Sequence, residues 1–187
     1  MPLTVQYSVI DDLFITMGEA LPFWKGKFVS VKYDDEPLVI ALSDKNFTTS
    51  ENALYKTKDL VVNVKPNDVF FKSYEVLAGL VNSKIRDGLL GPDSEKIFLK
   101  MDSSKPISFR IKIKSFSRFY DKNNQRMEDK DVPGEGKGSF SVKVNGVFIT
   151  DKKITVSMNL MDAVIHSFDV DQDTKPNLDF SKLRISA

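Results

Sequence analysis

Stretches in which apolar and polar residues alternate recur along the 187-residue chain, and they constrain its fold more than any other feature. Successive side chains of a β-strand point to opposite faces, so alternation predicts strands with one buried face. Such stretches cover residues 27–33, 139–150 and 154–160. Short apolar runs at 38–42 and 60–64 are typical of buried strands. The sequence therefore predicts a mostly β protein.

One segment has helical spacing instead. Apolar residues from Tyr74 to Ile85 recur every three or four positions, Leu77 among them, and Ser73 precedes them as a candidate N-cap. Glycines and a proline within 88–92 should end this helix. Strands, a helix and then more strands indicate a barrel or sandwich with one or two helices, one of which closes an end. No shift in composition divides the chain, so we expect a single domain over residues 1–187.

Composition and motifs exclude most catalytic and metal chemistry. The chain has no cysteine and one histidine, His166, so we expect neither a disulfide nor a zinc site. No nucleophile motif accompanies His166, which argues against a Ser-His-Asp triad. The glycine-rich residues 134–139 lack the spacing of a phosphate-binding loop, and 128–138 are expected to form a mobile loop. Residues 169–173 begin like a calcium loop but lack its glycine and glutamate. We expect no cofactor and no enzymatic activity.

Targeting signals are not apparent. The first residues lack a basic region followed by an apolar run, and no apolar stretch approaches the roughly 20 residues of a membrane helix. The expectation is a protein with no membrane partner, located in the cytoplasm or nucleus of a cell.

Positive charge is concentrated in one central segment. The net charge of the chain is only +1, but residues 96–127 carry nine Lys or Arg against two acids, a net of +7. Residues 1–23 carry three acids and no Lys or Arg, and residues 162–187 carry five Asp against three basic residues. This asymmetry points to a basic surface near the middle of the chain.

The centre of that segment, residues 107–120, is predicted to be one long strand. Phe109, Ile111 and Ile113 would face the core. The opposite face would carry Arg110, Lys112, Lys114, Phe116, Arg118 and Tyr120. Cations interleaved with aromatic rings suit single-stranded nucleic acid, because phosphates pair with the cations and unpaired bases stack on the rings. The alternative is a solvated strand face, with Phe116 and Tyr120 folded beneath a loop or turned inward by a bulge.

Four residues outside this strand are also candidates for contact with nucleic acid. Lys122, Arg126 and Lys143 are further candidate nucleic-acid-binding residues. Trp24, the only tryptophan, is a candidate stacking platform, although core packing is the favoured interpretation.

The order of these segments resembles the single-stranded DNA-binding proteins of large nucleocytoplasmic DNA viruses, in particular the asfarvirus type. The residues that carry the resemblance are 28–33 with 37–40, 107–113 with the polar turn 121–124, and 144–149 with 154–160 and 163–165. The resemblance spans roughly residues 27–165 and implies an OB-fold-like barrel with additional strands. It also implies a viral protein that binds single-stranded DNA.

Two functional hypotheses follow. The first is a single-stranded DNA-binding protein for replication, recombination or repair, with little sequence specificity; RNA as a ligand and a homo-oligomeric state stay open. The second is a structural or partner-binding β-sandwich protein, such as a virion or scaffold component, that does not bind nucleic acid. The near-zero net charge and the acidic ends favour the second hypothesis.

Overall fold

The computed structural model describes residues 15–52, 57–84, 104–150 and 154–167. Within these ranges the chain forms nine strands, one α-helix and a 3-10 turn at Asp129–Asp131. The elements are β1 (Ile15–Phe23), β2 (Gly26–Tyr33), β3 (Glu36–Asn52), β4 (Thr57–Val64), α1 (Val69–Lys84), β5 (Ile107–Lys112), β6 (Arg118–Tyr120), β7 (Arg126–Met127), β8 (Glu135–Ile149) and β9 (Ile154–Ser167). The predicted mostly β fold is confirmed.

Five of the strands close into a ring. β3 pairs with β4, β4 with β5, β9 with β8, and β8 with β3, all antiparallel. A parallel contact between β5 and β9 completes the ring. This closed Greek-key arrangement is a barrel of the OB type. The predicted OB-fold-like barrel with additional strands is confirmed, and the alternative of two packed sheets is not what the described residues form.

The barrel interior is filled by alternate residues of its five strands. Each strand contributes side chains that are almost fully buried, and they form one continuous core. They are Leu38, Ile40, Leu42 and Phe47 of β3, Leu60, Val62 and Val64 of β4, Phe109 and Ile111 of β5, Phe140, Val142 and Val144 of β8, and Met158, Leu160, Ala163 and Ile165 of β9. Because these residues face inward, their neighbours in sequence form the outer face of the barrel.

The helix α1, which lies between β4 and β5 in the sequence, packs against this core. Leu77 is buried, as predicted, and Tyr74 lies edge-on to Phe109 with ring centroids 4.7 Å apart. Burial raises the pKa of the Tyr74 hydroxyl. The prediction that Ser73 caps the helix is wrong, because α1 begins at Val69 and places Ser73 within it. Asp68 instead precedes the first turn, and its carboxylate pairs with Lys45 of β3. No helix in the described ranges is long and apolar enough to cross a membrane.

The remaining strands extend the sheet beyond the ring. β2 pairs with β8 past the end of β3, and β1 forms a hairpin with β2, with a bulge between Met17 and Ala20. On the other side, β6 runs parallel to β9 and pairs with β7. The sheet order is therefore β1-β2-β8-β3-β4-β5-β9-β6-β7.

The predicted mobile loop at 128–138 is wrong in its second half, because β8 begins at Glu135. Gly136 and Gly138 are buried within this strand. A Cβ at Gly136 would lie 2.5 Å from the carbonyl oxygen of Ser167, and one at Gly138 would lie 2.8 Å from that of Val164. These glycines therefore allow close approach of β9 and do not make the chain flexible.

Two predictions fall on residues outside the described ranges. They concern the end of the helix at 88–92 and residues 169–173, which begin like a calcium loop. They stay predictions.

Leu77→Ala should lower the free energy of unfolding by about 2–5 kcal/mol, because it leaves a cavity in the core beneath α1. Urea unfolding followed by circular dichroism measures this change. Glu75→Ala, an exposed position of the same helix, is the matched control and should change stability by less than about 0.5 kcal/mol. Equal stabilities of the two variants would contradict the packing of α1 on the barrel.

Candidate nucleic-acid interface

The segment predicted as one strand over 107–120 is two strands with a turn between them, so the prediction of a continuous strand is wrong. β5 and β6 lie along the same edge of β9, where Lys112 is in register with Asn159 and Arg118 with Asp162. The chain thus advances six residues from Lys112 to Arg118, while β9 advances only three, from Asn159 to Asp162. The additional residues form the turn between the two strands.

Ser117 holds this turn in place. Its amide donates to the Lys114 carbonyl oxygen at 2.9 Å, and its Oγ accepts from the Lys114 amide at 2.9 Å. The Ser117 hydroxyl donates to the carbonyl oxygen of Leu160 in β9 at 2.7 Å, and the side chain is buried. The turn is thereby fixed to the barrel wall, with Ser115 and Phe116 at its tip.

The two faces predicted for this segment are largely preserved across the turn. Phe109, Ile111 and Phe119 are buried, while Arg110, Lys112 and Arg118 are exposed. Ile113, Lys114 and Tyr120 are half-buried. Phe116 is 51% exposed, which rules out the alternative that it is folded beneath a loop.

Two of the exposed cations are paired with carboxylates. Arg118 donates through Nε and Nη2 to the two carboxylate oxygens of Asp162 at 2.7 and 3.0 Å. The hydrogen bond with Asp162, and then the attraction between the two charges, raises the pKa of Arg118. Arg110 lies 3.5 Å from the carboxylate of Asp59, a buried residue of β4. Both guanidinium groups are therefore partly neutralised within the protein.

Lys112 and Lys143 form a row across three adjacent strands. Lys112 of β5 is in register with Asn159 of β9, and Asn159 is in register with Lys143 of β8. Side chains that are directly opposite one another in a sheet share a face, so these three residues project from the outside of the barrel. We call them the lysine row. Among the described residues, no carboxylate forms a salt bridge with either lysine. Asp59 of β4 is in register with Lys112 on the same face, but its carboxylate contacts Arg110, so within the described residues neither lysine of the row is held in a salt bridge.

The other predicted binding residues lie on the hairpin of β6 and β7. Asp121 orders the connecting turn, because its Oδ1 accepts from the amides of Asn123 and Gln125 at 2.8 Å each. Lys122 is exposed in this turn, and exposed Arg126 is in register with Tyr120. The structure therefore places these residues beside β9 but away from the lysine row.

Trp24 is not in the core, so the favoured interpretation from the sequence is wrong. It lies in the turn between β1 and β2 and is 78% exposed. Phe23, 59% exposed, rests on Phe28 and Phe148, with ring centroids 6.2 and 5.8 Å away. We call Phe23, Trp24, Phe28 and Phe148 the aromatic tip. The sequence signal that could have located it is the run 21–26, in which a two-residue turn joins two strands.

His166 makes contacts that superficially resemble a catalytic triad. Its Nε2 lies 3.0 Å from Ser139 Oγ, and its Nδ1 lies 3.9 Å from a carboxylate oxygen of Asp44. The second distance is too long for a hydrogen bond, and the side chains of His166 and Asp44 are 41% and 66% exposed. Ser139 Oγ also accepts from the Asp44 amide at 3.1 Å. These contacts join β3, β8 and β9 where β3 bulges, which is a structural role. Among the described residues, no three His, Asp or Glu side chains form a group that could hold a metal ion.

Comparison with known proteins reveals similarity of fold. No protein-family model and no curated protein matches the sequence. The solved structure of the single-stranded DNA-binding protein from bacteriophage Enc34, with a C-terminal truncation, superposes with a TM-score of 0.51 at 10% identity. The superposition covers 83% of this chain and 97% of the Enc34 chain. Another structure of the Enc34 protein gives a TM-score of 0.44 at 11% identity over 89% of this chain and 98% of that chain. At these identities the similarity is one of architecture.

Ser117→Ala should destabilise the protein by about 1–3 kcal/mol, because it leaves the buried Leu160 carbonyl and the Lys114 amide without their hydroxyl partner. Chemical denaturation measures the loss. Ser115→Ala, in the exposed part of the same turn, is the control and should be close to neutral. A neutral Ser117→Ala would contradict the role given to this hydroxyl.

Proposed function

We propose that this protein binds single-stranded DNA on the outer face of its barrel, along β5, β9 and β8. The observation that carries the proposal is the lysine row, whose two lysines lie on one face and form no salt bridge with any described carboxylate. OB-type barrels bind oligonucleotides on the face of their second and third strands, and β5 is the third strand of this barrel. The fold shared with the Enc34 single-stranded DNA-binding protein supports the same class of ligand.

In the proposed mechanism, phosphates are held by the lysine row and bases are stacked nearby. Neighbouring strands are about 4.8 Å apart, so the Cα atoms of Lys112 and Lys143 are separated by roughly 10 Å. Their flexible side chains can follow a phosphate backbone of irregular shape. Phe116, exposed on the turn that follows β5, offers a ring to an unpaired base. Because neither contact reads a base edge, binding should show little sequence specificity.

The remaining predicted residues have graded roles in this proposal. Arg110, Lys114, Tyr120, Lys122 and Arg126 add weaker contacts along β5 and the β6–β7 hairpin. Arg118 contributes least, since Nε and Nη2, which form one of the two guanidinium edges that can hold a phosphate, are already bonded to Asp162. We also propose a role in DNA replication, recombination or repair. The resemblance to the asfarvirus type supports a viral origin as part of the same proposal.

The protein should bind single-stranded DNA more tightly than duplex DNA of the same length, because duplex bases are already stacked and cannot use Phe116. Fluorescence anisotropy with labelled oligonucleotides, at one fixed salt concentration, gives both dissociation constants. Equal affinity would indicate attraction to phosphates alone and would remove base stacking from the mechanism.

Lys112→Ala should weaken binding and reduce the slope of log K against log salt by roughly 0.7, because one fewer counterion is released from the DNA. The titration is repeated at several salt concentrations. Lys130→Ala is the matched control, since Lys130 is exposed but already paired with Glu128 at 2.7 Å. An unchanged slope for Lys112→Ala, or equal slopes in the two variants, would remove the lysine row from the interface.

A further inference from the structure

The aromatic tip lies beyond the end of the barrel on a tight hairpin that packs against β8. The hairpin of β1 and β2 closes through a two-residue turn, Trp24 and Lys25, between paired residues Phe23 and Gly26. Trp24 has the left-handed backbone angle φ of 51°. A Cβ at Gly26 would collide with the carbonyl oxygen of Ile149, so the hairpin lies directly against β8. The indole therefore projects from a backbone that two strands support.

Large apolar side chains at this tip are exposed without an evident structural reason. Leu21, Phe23 and Trp24 are 59%, 59% and 78% exposed, whereas most large apolar side chains described in the structure are buried. An exposed patch of this kind on a small domain marks an interaction surface. Phe23 lies edge-on to Phe148, with an interplanar angle of 86°, so its ring has a packing partner on β8.

The charge around the tip selects the kind of ligand. Residues 20–33 contain three lysines, Lys25, Lys27 and Lys32, and no Asp or Glu. The Nζ of Lys25 lies 5.9 Å from the centroid of the Trp24 ring, which is within range of a cation–π contact. A cation beside a large exposed ring suits a ligand that carries a negative charge next to a flat apolar group, and a nucleotide has both.

The aromatic tip is continuous with the lysine row. Phe28 of β2 is in register with Phe148 of β8, and Phe148 is in register with Thr155 of β9. Thr155 and Asn159 are an even number of residues apart on β9, and the extra residue of the bulge opposite them lies on β8, so they share the outer face. Four residues of extended chain span about 13 Å. One strand of nucleic acid could therefore contact both surfaces.

We propose that the aromatic tip is a second contact for single-stranded DNA, where unpaired bases stack on Trp24 and Phe23 after the backbone leaves the lysine row. This inference rests on the proposed function and adds to it a base-binding surface outside the barrel. In this proposal the β1–β2 hairpin lengthens the DNA-binding surface, and Lys25 and Lys27 contact the phosphates there.

Because Trp24 is the only tryptophan, its fluorescence tests the proposal directly. Oligothymidylate added to the full chain should quench this emission as the indole stacks on a base. In anisotropy titrations with a labelled oligonucleotide, Trp24→Ala should weaken binding about 5- to 150-fold, as expected for the loss of one stacked base. Trp24→Phe should retain most of the affinity. The salt dependence of Trp24→Ala should match that of the wild type, since stacking releases few ions.

Two controls separate stacking from a general loss of apolar surface. Trp24→Leu keeps an apolar side chain at the same position but has no aromatic ring, and it should lose affinity as Trp24→Ala does. An oligonucleotide too short to reach from the lysine row to the tip should bind wild type and Trp24→Ala alike. Circular dichroism melting confirms that each variant is folded.

Three results would overturn the inference. If the wild type binds the oligonucleotide but its tryptophan emission does not change and Trp24→Ala binds normally, the tip has no role in binding while the proposed function stands. If Trp24→Ala instead lowers the sedimentation mass of the protein, the tip joins two copies of this chain. If the wild type binds no single-stranded DNA, the proposed function fails together with the inference.

Discussion

The short parallel contact between β5 and β9 closes the ring of strands, and the outer surface is organised around it. Only Lys112 and Asn159 are in direct register there, and the Ser117 hydroxyl bonds to Leu160 just beyond them. Parallel pairs need a long connection, which here runs from β5 through the β6–β7 hairpin and β8 before the chain returns in β9. The same contact brings a lysine from the middle of the chain beside a lysine of β8. Closure of the fold and assembly of the charged surface are thus one event.

Much of the fold could be predicted from local patterns, because barrel strands bury one face and alternation reports that face. The assignment of Phe109 and Ile111 to the core and of Arg110 and Lys112 to the surface needs only a period of two. The interruption after Lys112 was not predictable in this way, since the turn depends on a bond to Leu160, 43 residues away. The start of α1 was misplaced for a similar reason. Asp68, which pairs with Lys45, precedes the first turn, and Ser73 merely matches the pattern of a cap.

The candidate site was less predictable than the fold, because charge along a sequence does not say which charges are paired in space. Arg118 and Lys112 look equivalent in the segment 107–120. Of the two, only Arg118 is paired with a described carboxylate, that of Asp162, which is 44 residues away in the sequence. The prediction for Trp24 was wrong in the opposite sense, because a residue assigned to the core is exposed. A tryptophan is usually assigned to the core, and although the run 21–26 signals a turn, it does not show that the hairpin extends past the barrel. Only the pairing of β2 with β8 reveals this.

The outermost strand, β1, combines features that make it a poor template for another strand. Among the described residues it pairs on one side only, with β2, which leaves nine residues with a free edge. The bulge between Met17 and Ala20 disturbs the regular spacing of its amides, and Pro22 has no amide hydrogen to donate. A neighbouring chain could therefore form only a short ladder along this edge. Protection against edge-to-edge aggregation matters most for a hairpin that carries exposed aromatic rings, and β1 supplies it within the same nine residues.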